Sequence, residues 1–292
     1  MAHYGFNLDR NRKKPKKKAV FIIGFLCFAI LLGACSTLLL WRSLDYDFKN
    51  FTKNAETSAP ETETEPVTEG ETFSGEYAFS AAVTSDDGKT VYSISLICVD
   101  LEKRTVRVVP VDTAAHYGSE TFADVFVSGG GAALKSALSG VYGIEVNRFV
   151  TLNEKQYRSV FRALGDLPLT VADDITYDSD DMYLELYKGE NILTCDKVFK
   201  YMMYTVSEFD SAEAARKNAE IAVAAFDTFY NADSFRDADS LFAKLINCCT
   251  SDITIVDFTN AKPAIGSLVP RNAKEHLRVY VSDNVREAPY EE

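Results

Sequence analysis

Apolar residues fall along this chain in three patterns. Ala19–Trp41 is an unbroken apolar run without a charge. Thr52–Phe73 has almost no large apolar side chain. From Gly75 onward, strand-like runs alternate with stretches of helical period. Tyr77–Val83 reads as a strand, and Asp86-Asp-Gly-Lys89 as a turn. Val91–Asp100 is apolar at nearly every position past Ser93. That pattern belongs to a strand buried on both faces, in the middle of a sheet. Leu101-Glu-Lys-Arg104 separates it from the β-rich Thr105–Thr113, which is a hairpin signal. Pro110 cannot donate to a ladder, so the second strand stops there or passes to an edge.

The later elements follow the same logic. Gly129-Gly-Gly131 opens a helix through Tyr142, with Leu134, Leu138 and Val141 on one face. Arg148–Leu152 is a strand. Asn153 caps a helix over Glu154–Leu164, which Gly165 ends. Leu169–Val171, Ile175–Tyr177 and Met182–Tyr187 read as short strands. Thr194 caps a helix to about Tyr204, and Ser211–Phe229 is a longer amphipathic helix with Ala215, Ala219, Ala222, Val223 and Phe226 inward. Asp239–Cys248 and Ser251–Thr259 are further helices, and Leu277–Val281 is a last strand. Strands alternating with helices from end to end predict an α/β layered fold. The class is a three-layer α/β/α sandwich around a central mixed sheet.

The apolar run changes the picture of where that domain lies. Twenty-three helical residues span about 35 Å, enough to cross a hydrocarbon core of about 30 Å. Seven Lys/Arg between Arg10 and Lys18 precede it, whereas Asp45 and Asp47 follow soon after. The positive-inside rule then keeps the N-terminus in the cytoplasm and puts the rest outside the cell membrane. The organisation predicted is a basic segment over 1–18, a single-pass transmembrane anchor over 19–41, an acidic Pro/Glu/Thr-rich linker over 42–74, and an extracellular domain over 75–292. A rival reading makes Leu32-Gly-Ala-Cys35 a lipobox with lipidated Cys35. Against it, Ser36–Trp41 continues the apolar run beyond the length of a cleaved signal. Both readings deliver the domain to the same side.

The net charge is −12, and the first 18 residues are basic, so the domain itself is more acidic still. Such a surface repels phosphate backbones and excludes nucleic acid as a partner of the domain. No Cys or His spacing suggests zinc. Cys98 sits in the buried strand as a small core residue. A disulfide among Cys98, Cys195, Cys248 and Cys249 is open, although adjacent Cys248 and Cys249 are poor partners for each other.

Several motifs in order resemble one family. Val109-Pro-Val-Asp-Thr113 is similar to a strand ending in Pro-Arg-Asp-Thr. Phe149–Asn153 with Leu164–Val171 resembles a strand–helix–strand unit. Tyr187–Lys197 resembles a turn before the next helix, and Asp210–Phe229 resembles an Arg-rich helix. Together, from about Val91 to Phe258, they resemble the extracellular domain of the LytR–CpsA–Psr (LCP) family. That resemblance implies a cell-envelope protein that transfers glycopolymers from polyprenyl-pyrophosphate carriers onto the cell wall, with bound magnesium.

The departures are as informative as the matches. Family arginines fall on Val111, Met203, Thr205 and Glu213, and only Arg216 remains. An acidic position falls near Tyr92, while Asp112 and Asp210 match acids. Transfer of a pyrophosphate depends on cations and metal. The resemblance therefore implies a relic site: Asp112 and Arg216 in catalytic positions, Asp112 as the metal ligand, and Asp112, Asp210, Arg216 and Met203 around the ligand. The chemistry would be lost or reduced, leaving a binder of a polyprenyl-phosphate-linked glycan, a wall polymer or an envelope partner. Magnesium would serve only if family activity remains.

Two alternatives stay open. One is an active ligase whose cations have moved to Lys89, Arg107, Arg148, Lys155 or Arg158. The other is a structural module of an envelope assembly, for which the pocket between sheet and helices would be collapsed.

Other features read more simply. Gly129–Gly131 lacks the Lys-Ser/Thr of a phosphate loop, so a turn is favoured. Asp173, Asp174, Asp178, Asp180 and Asp181 lack calcium-loop spacing and read as a solvated loop. His116 has no nucleophile partner in sequence. Met202, Met203 and Tyr204 fit either an apolar pocket or core packing.

Overall fold

A computed structural model describes residues 73–270 and 277–285. The expected anchor, the basic segment and nearly all of the linker lie outside the described residues. Among the described residues, no helix is long and apolar enough to cross a membrane.

Six strands form one mixed sheet, in the order β11-β6-β1-β2-β3-β12. They are β1 (Glu76–Thr84), β2 (Val91–Asp100), β3 (Thr105–Val111), β6 (Arg148–Asn153), β11 (Thr250–Ser251) and β12 (Arg278–Val281). β1, β2 and β3 form an antiparallel meander, while β6 lies parallel to β1 and β12 parallel to β3. β2 is therefore interior, as its continuous apolar run predicts. β12 pairs β3 only from Thr105 to Val108. Pro110 lies past the last β12 pair, so its missing N–H breaks no bond of that ladder.

Helices cover both faces, so the predicted layering is present. On one face α1 (Phe122–Tyr142) packs Phe122, Val125, Leu134 and Leu138 onto Ala82, Ile94, Leu96 and Val109. On the other, α2 (Glu154–Leu164), α3 (Cys195–Glu208) and α4 (Ser211–Phe229) form a second core with Tyr157, Phe161, Met202 and Ile221. Three short helices and strands extend this side: α5 (Ala232–Arg236), α6 (Ala238–Ile246) and α7 (Ile255–Leu268). Two hairpin-like pairs, β7 (Leu167–Val171) with β10 (Gly189–Leu193) and β8 (Ile175–Ser179) with β9 (Met182–Leu186), brace α3 from outside the sheet. A two-residue pair, β4 (His116–Tyr117) and β5 (Glu120–Thr121), precedes α1.

Three expectations need correction. The helix expected to open at Gly129 starts seven residues earlier, at Phe122. Thr121 and Asp124 form a reciprocal capping box there, which the glycines masked. Gly130 instead interrupts the helix with a left-handed φ of 67°. Gly131 has no room for a side chain, because a Cβ would run into the Phe149 ring. Secondly, the helix expected over Ser251–Thr259 begins at Ile255, after β11. Thr254 and Asp257 make its capping box. Thirdly, β4, β5, β10, β11 and α5 have no counterpart in the sequence reading.

Candidate functional site: an apolar channel beneath the sheet

Alternation along the central strands decides which side chains meet the helices. Ala81 and Val83 of β1, with Ser93, Ser95 and Ile97 of β2, face α2, α3 and α4. These side chains are small, so the sheet and helices do not close completely. A cavity of about 370 Å³ remains, walled by Tyr157, Phe161, Met202, Ile221, Ala222 and Phe226 among others. A second cavity of about 340 Å³ adjoins it beneath α5, α6 and α7. The two share Phe229, Tyr230, Leu241 and Leu245 as walls, so they are neighbours, and together they are called the channel. Its lining is overwhelmingly apolar, with the rings of Phe79, Phe235, Phe242 and Phe258 in the second half. The collapsed pocket expected for a purely structural module is not what the fold contains.

Polar groups enter the channel at few points. Asn218 projects from α4 into it and is 7 % exposed. Thr205, with no exposure, lies beside it: its Oγ1 is 2.8 Å from the Asn218 side-chain oxygen and 2.7 Å from the Met202 carbonyl. A hydroxyl has one proton, so it cannot donate to both. The Asn218 amide orientation that satisfies both residues places Nδ2 on Thr205 and leaves the amide carbonyl free toward the channel. As placed, Nδ2 is buried and has no partner. In either orientation one neutral polar group of Asn218 remains unpaired. Thr205 occupies a position where the LCP resemblance calls for an arginine.

The residues singled out in the sequence each engage a local partner. Asp112 lies in the turn after β3, where its Oδ1 accepts from Ala114 N at 2.9 Å. Asp210 caps α4 by accepting from Glu213 N at 2.9 Å. Arg216 pairs with Asp283, just past β12, at 2.6 Å. Glu213 pairs with Lys217 at 3.6 Å. No hydrogen bond or ion pair joins Asp112, Asp210 and Arg216 among the described residues. Met203 packs at the margin of the helical core, and neighbouring Tyr204 stacks with Tyr201. Tyr92 donates to Glu154 Oε1 at 2.8 Å, and burial first, then that carboxylate, pushes its phenol up to about 12.

The alternative cations pair with acids as well. Lys89 pairs with Asp87, Lys155 with Asp86, and Arg148 with Asp257 at 2.6 Å. Arg158 lies over the Phe199 ring at 3.7 Å, between Glu154 and Asp196. Arg107 is buried on the opposite face of the sheet. Of these, only Arg148 lines the channel, and its guanidinium is held by Asp257.

The described residues do not build an all-protein metal cage. Asp112 is engaged in its turn, and among the described residues no three His, Cys, Asp or Glu side chains converge. The acidic loop holds Asp174 on Lys188 N at 2.7 Å and is otherwise open to solvent. His116 is exposed in β4. Cys98, Cys195, Cys248 and Cys249 are all free thiols, and burial pushes the Cys98 thiol up to about 11.

Sequence reading missed Asn218. Its signal is a polar residue on an otherwise apolar stripe, Asn218, Ile221, Ala222, Ala225, Phe226 and Phe229, at helical spacing.

The sequence matches no family model, and it matches no curated protein sequence. Solved structures do share the fold. A protein from Eubacterium siraeum named as a transcription regulator superposes with a TM-score of 0.63 at 20% identity, covering 78% of this chain and 89% of that one. B. subtilis TagV gives 0.57 at 15% identity over 72% of this chain and 85% of its own. TagT, solved bound to LI-WTA, gives 0.50 at 13% identity over 69% and 79%. At these identities the likeness is one of fold.

Proposed function

We propose that this chain is a cell-envelope protein of the LCP type that binds the apolar chain of a lipid-linked wall precursor and has lost or strongly reduced transfer chemistry. The observation that carries this reading is the channel itself. Two neighbouring cavities of about 340 and 370 Å³ offer an apolar lining to a hydrocarbon chain, and burying such a chain is favourable in proportion to its apolar area. The fold shared with TagV and with TagT, the latter solved with LI-WTA, supports a wall-polymer precursor as the ligand class.

The loss of chemistry is read from the residues that stand at the resembled family's arginine positions. Positions where the resemblance calls for arginine hold Met203 and Thr205, and Thr205 meets a neutral amide. A pyrophosphate transition state needs preorganised cations there. The candidate replacements are each tied to an acid, Arg148 to Asp257 at the channel wall. The anchor over 19–41 would set the domain outside the membrane, within reach of a lipid-linked substrate.

The test is a transfer assay with the full chain in detergent, a polyprenyl-pyrophosphate glycan and magnesium. Retention of the lipid without glycan transfer is expected. Robust turnover abolished by Asp112→Ala would overturn the degenerate-site reading.

A further inference from the structure

On the face of the sheet opposite the channel, a row of paired residues runs Ala78, Cys98, Arg107 across β1, β2 and β3. Arg107 is 1 % exposed, which is rare for an arginine in a strand. It lines a cavity of about 220 Å³ with Glu76, Ala78, Cys98, Glu145 and Val285. The guanidinium is poorly matched there. Nη2 donates to the Val285 carbonyl at 3.1 Å, and its nearest acid is Glu76 at 3.7 Å. Glu76 is itself half-exposed, so this pair is loose. Nε and Nη1 are buried and have no partner among the described residues. Those two nitrogens carry three of the five N–H groups of the side chain. A buried cation with most of its donors unused is unfavourable unless something supplies the acceptors.

We propose that this cavity binds a small monocarboxylate, with Arg107 as its anchor and Glu76 as the group it displaces. A guanidinium recognises a planar carboxylate through paired charge-assisted hydrogen bonds. The charge of the ligand follows from the walls. Glu76 and Glu145 line the same cavity and repel a phosphate dianion more strongly than a monoanion. The volume suits a molecule of a few heavy atoms, and Ala78 and Val285 give it a partly apolar wall. This site is independent of the channel and of the function proposed for it.

The full chain in detergent is titrated with sodium acetate, sodium phosphate or sodium chloride at constant ionic strength, and the unfolding midpoint is followed. A ligand of the folded state raises the midpoint in a saturable way. The expected result is a saturable rise with acetate and none with phosphate or chloride. In Glu76→Gln the rise comes at about tenfold lower acetate, because the competing carboxylate is gone. In Arg107→Met acetate has no effect. If Arg107→Met does not fold, the Glu76→Gln comparison decides. The same response to all three salts, no response to any, or an unchanged acetate midpoint in Glu76→Gln overturns the proposal.

Discussion

Thr205 and Asn218 meet at 2.8 Å in the core, side chain to side chain, where α3 crosses α4 at the head of the apolar channel. The contact is a neutral pair between two buried side chains. The neutral end therefore belongs to the architecture of these two helices and is more than a single missing residue.

Removing the hydroxyl tests that pairing. Thr205→Val keeps the shape and leaves Asn218 without its partner, while the Met202 carbonyl keeps its helical bond. Destabilisation by about 1–3 kcal/mol is expected from denaturant unfolding. Asn218→Leu added to Thr205→Val should recover part of the loss, because both polar partners are then gone. Additive losses would show that the two side chains do not interact.

Gly131 marks the close approach of α1 to β6. A methyl group at this position meets the Phe149 ring, so Gly131→Ala forces ring or helix to shift. Overpacking of this kind costs about 1–3 kcal/mol. Gly140→Ala, whose Cβ would meet only the Tyr117 ring at 3.7 Å, serves as the control and should be neutral or slightly stabilising.

Arg148 and Asp257 give a pH signature. The hydrogen bond from Arg148, then those from Thr254, hold the Asp257 carboxyl well below the usual carboxylate range. A carboxyl depressed in the folded state contributes stability above its unfolded value, near about 4, and loses it as pH falls through the folded value. The stability difference between wild type and Arg148→Met should thus be constant at neutral pH and shrink below about pH 4. Urea unfolding at several pH values measures it. A difference that persists unchanged at pH 2 would remove the ion pair from the account.

Asp112 has a structural task in its turn. Asp112→Ala loses the bond to Ala114 N, and a cost of about 1 kcal/mol is expected. Asp112→Asn retains an acceptor and should recover most of it. Magnesium should stabilise neither wild type nor variant in thermal unfolding. A magnesium-dependent rise that Asp112→Ala removes would restore the metal-ligand role.

Much of this architecture is legible in local pattern. Val91–Asp100 reads as an interior strand because both of its faces are apolar, and Asn153 and Thr194 announce their helices by capping. The start of α1 was obscured because three glycines at 129–131 look like a turn, while the capping box at Thr121 lies upstream of them. The site was legible in part. Arg216, Asp210 and Asp112 could be picked out as residues, but their partners are remote in sequence: Asp283 is 67 positions from Arg216. Long-range ion pairs leave no periodic trace. The channel was hidden for a similar reason. It arises where Ala81, Ser93 and Ser95 on the sheet oppose Ala222 and Ala225 on α4, and no local run of sequence contains both walls.

The central claim is that the channel holds a lipid chain. Native mass spectrometry of the full chain in detergent, with added polyprenyl phosphate, tests it most directly. Wild type should retain one lipid per chain. Ala222→Phe, which places a ring in the channel, should lose most of the complex while keeping the wild-type fold by circular dichroism. An absent wild-type complex, or equal lipid retention by a folded Ala222→Phe, would contradict the account.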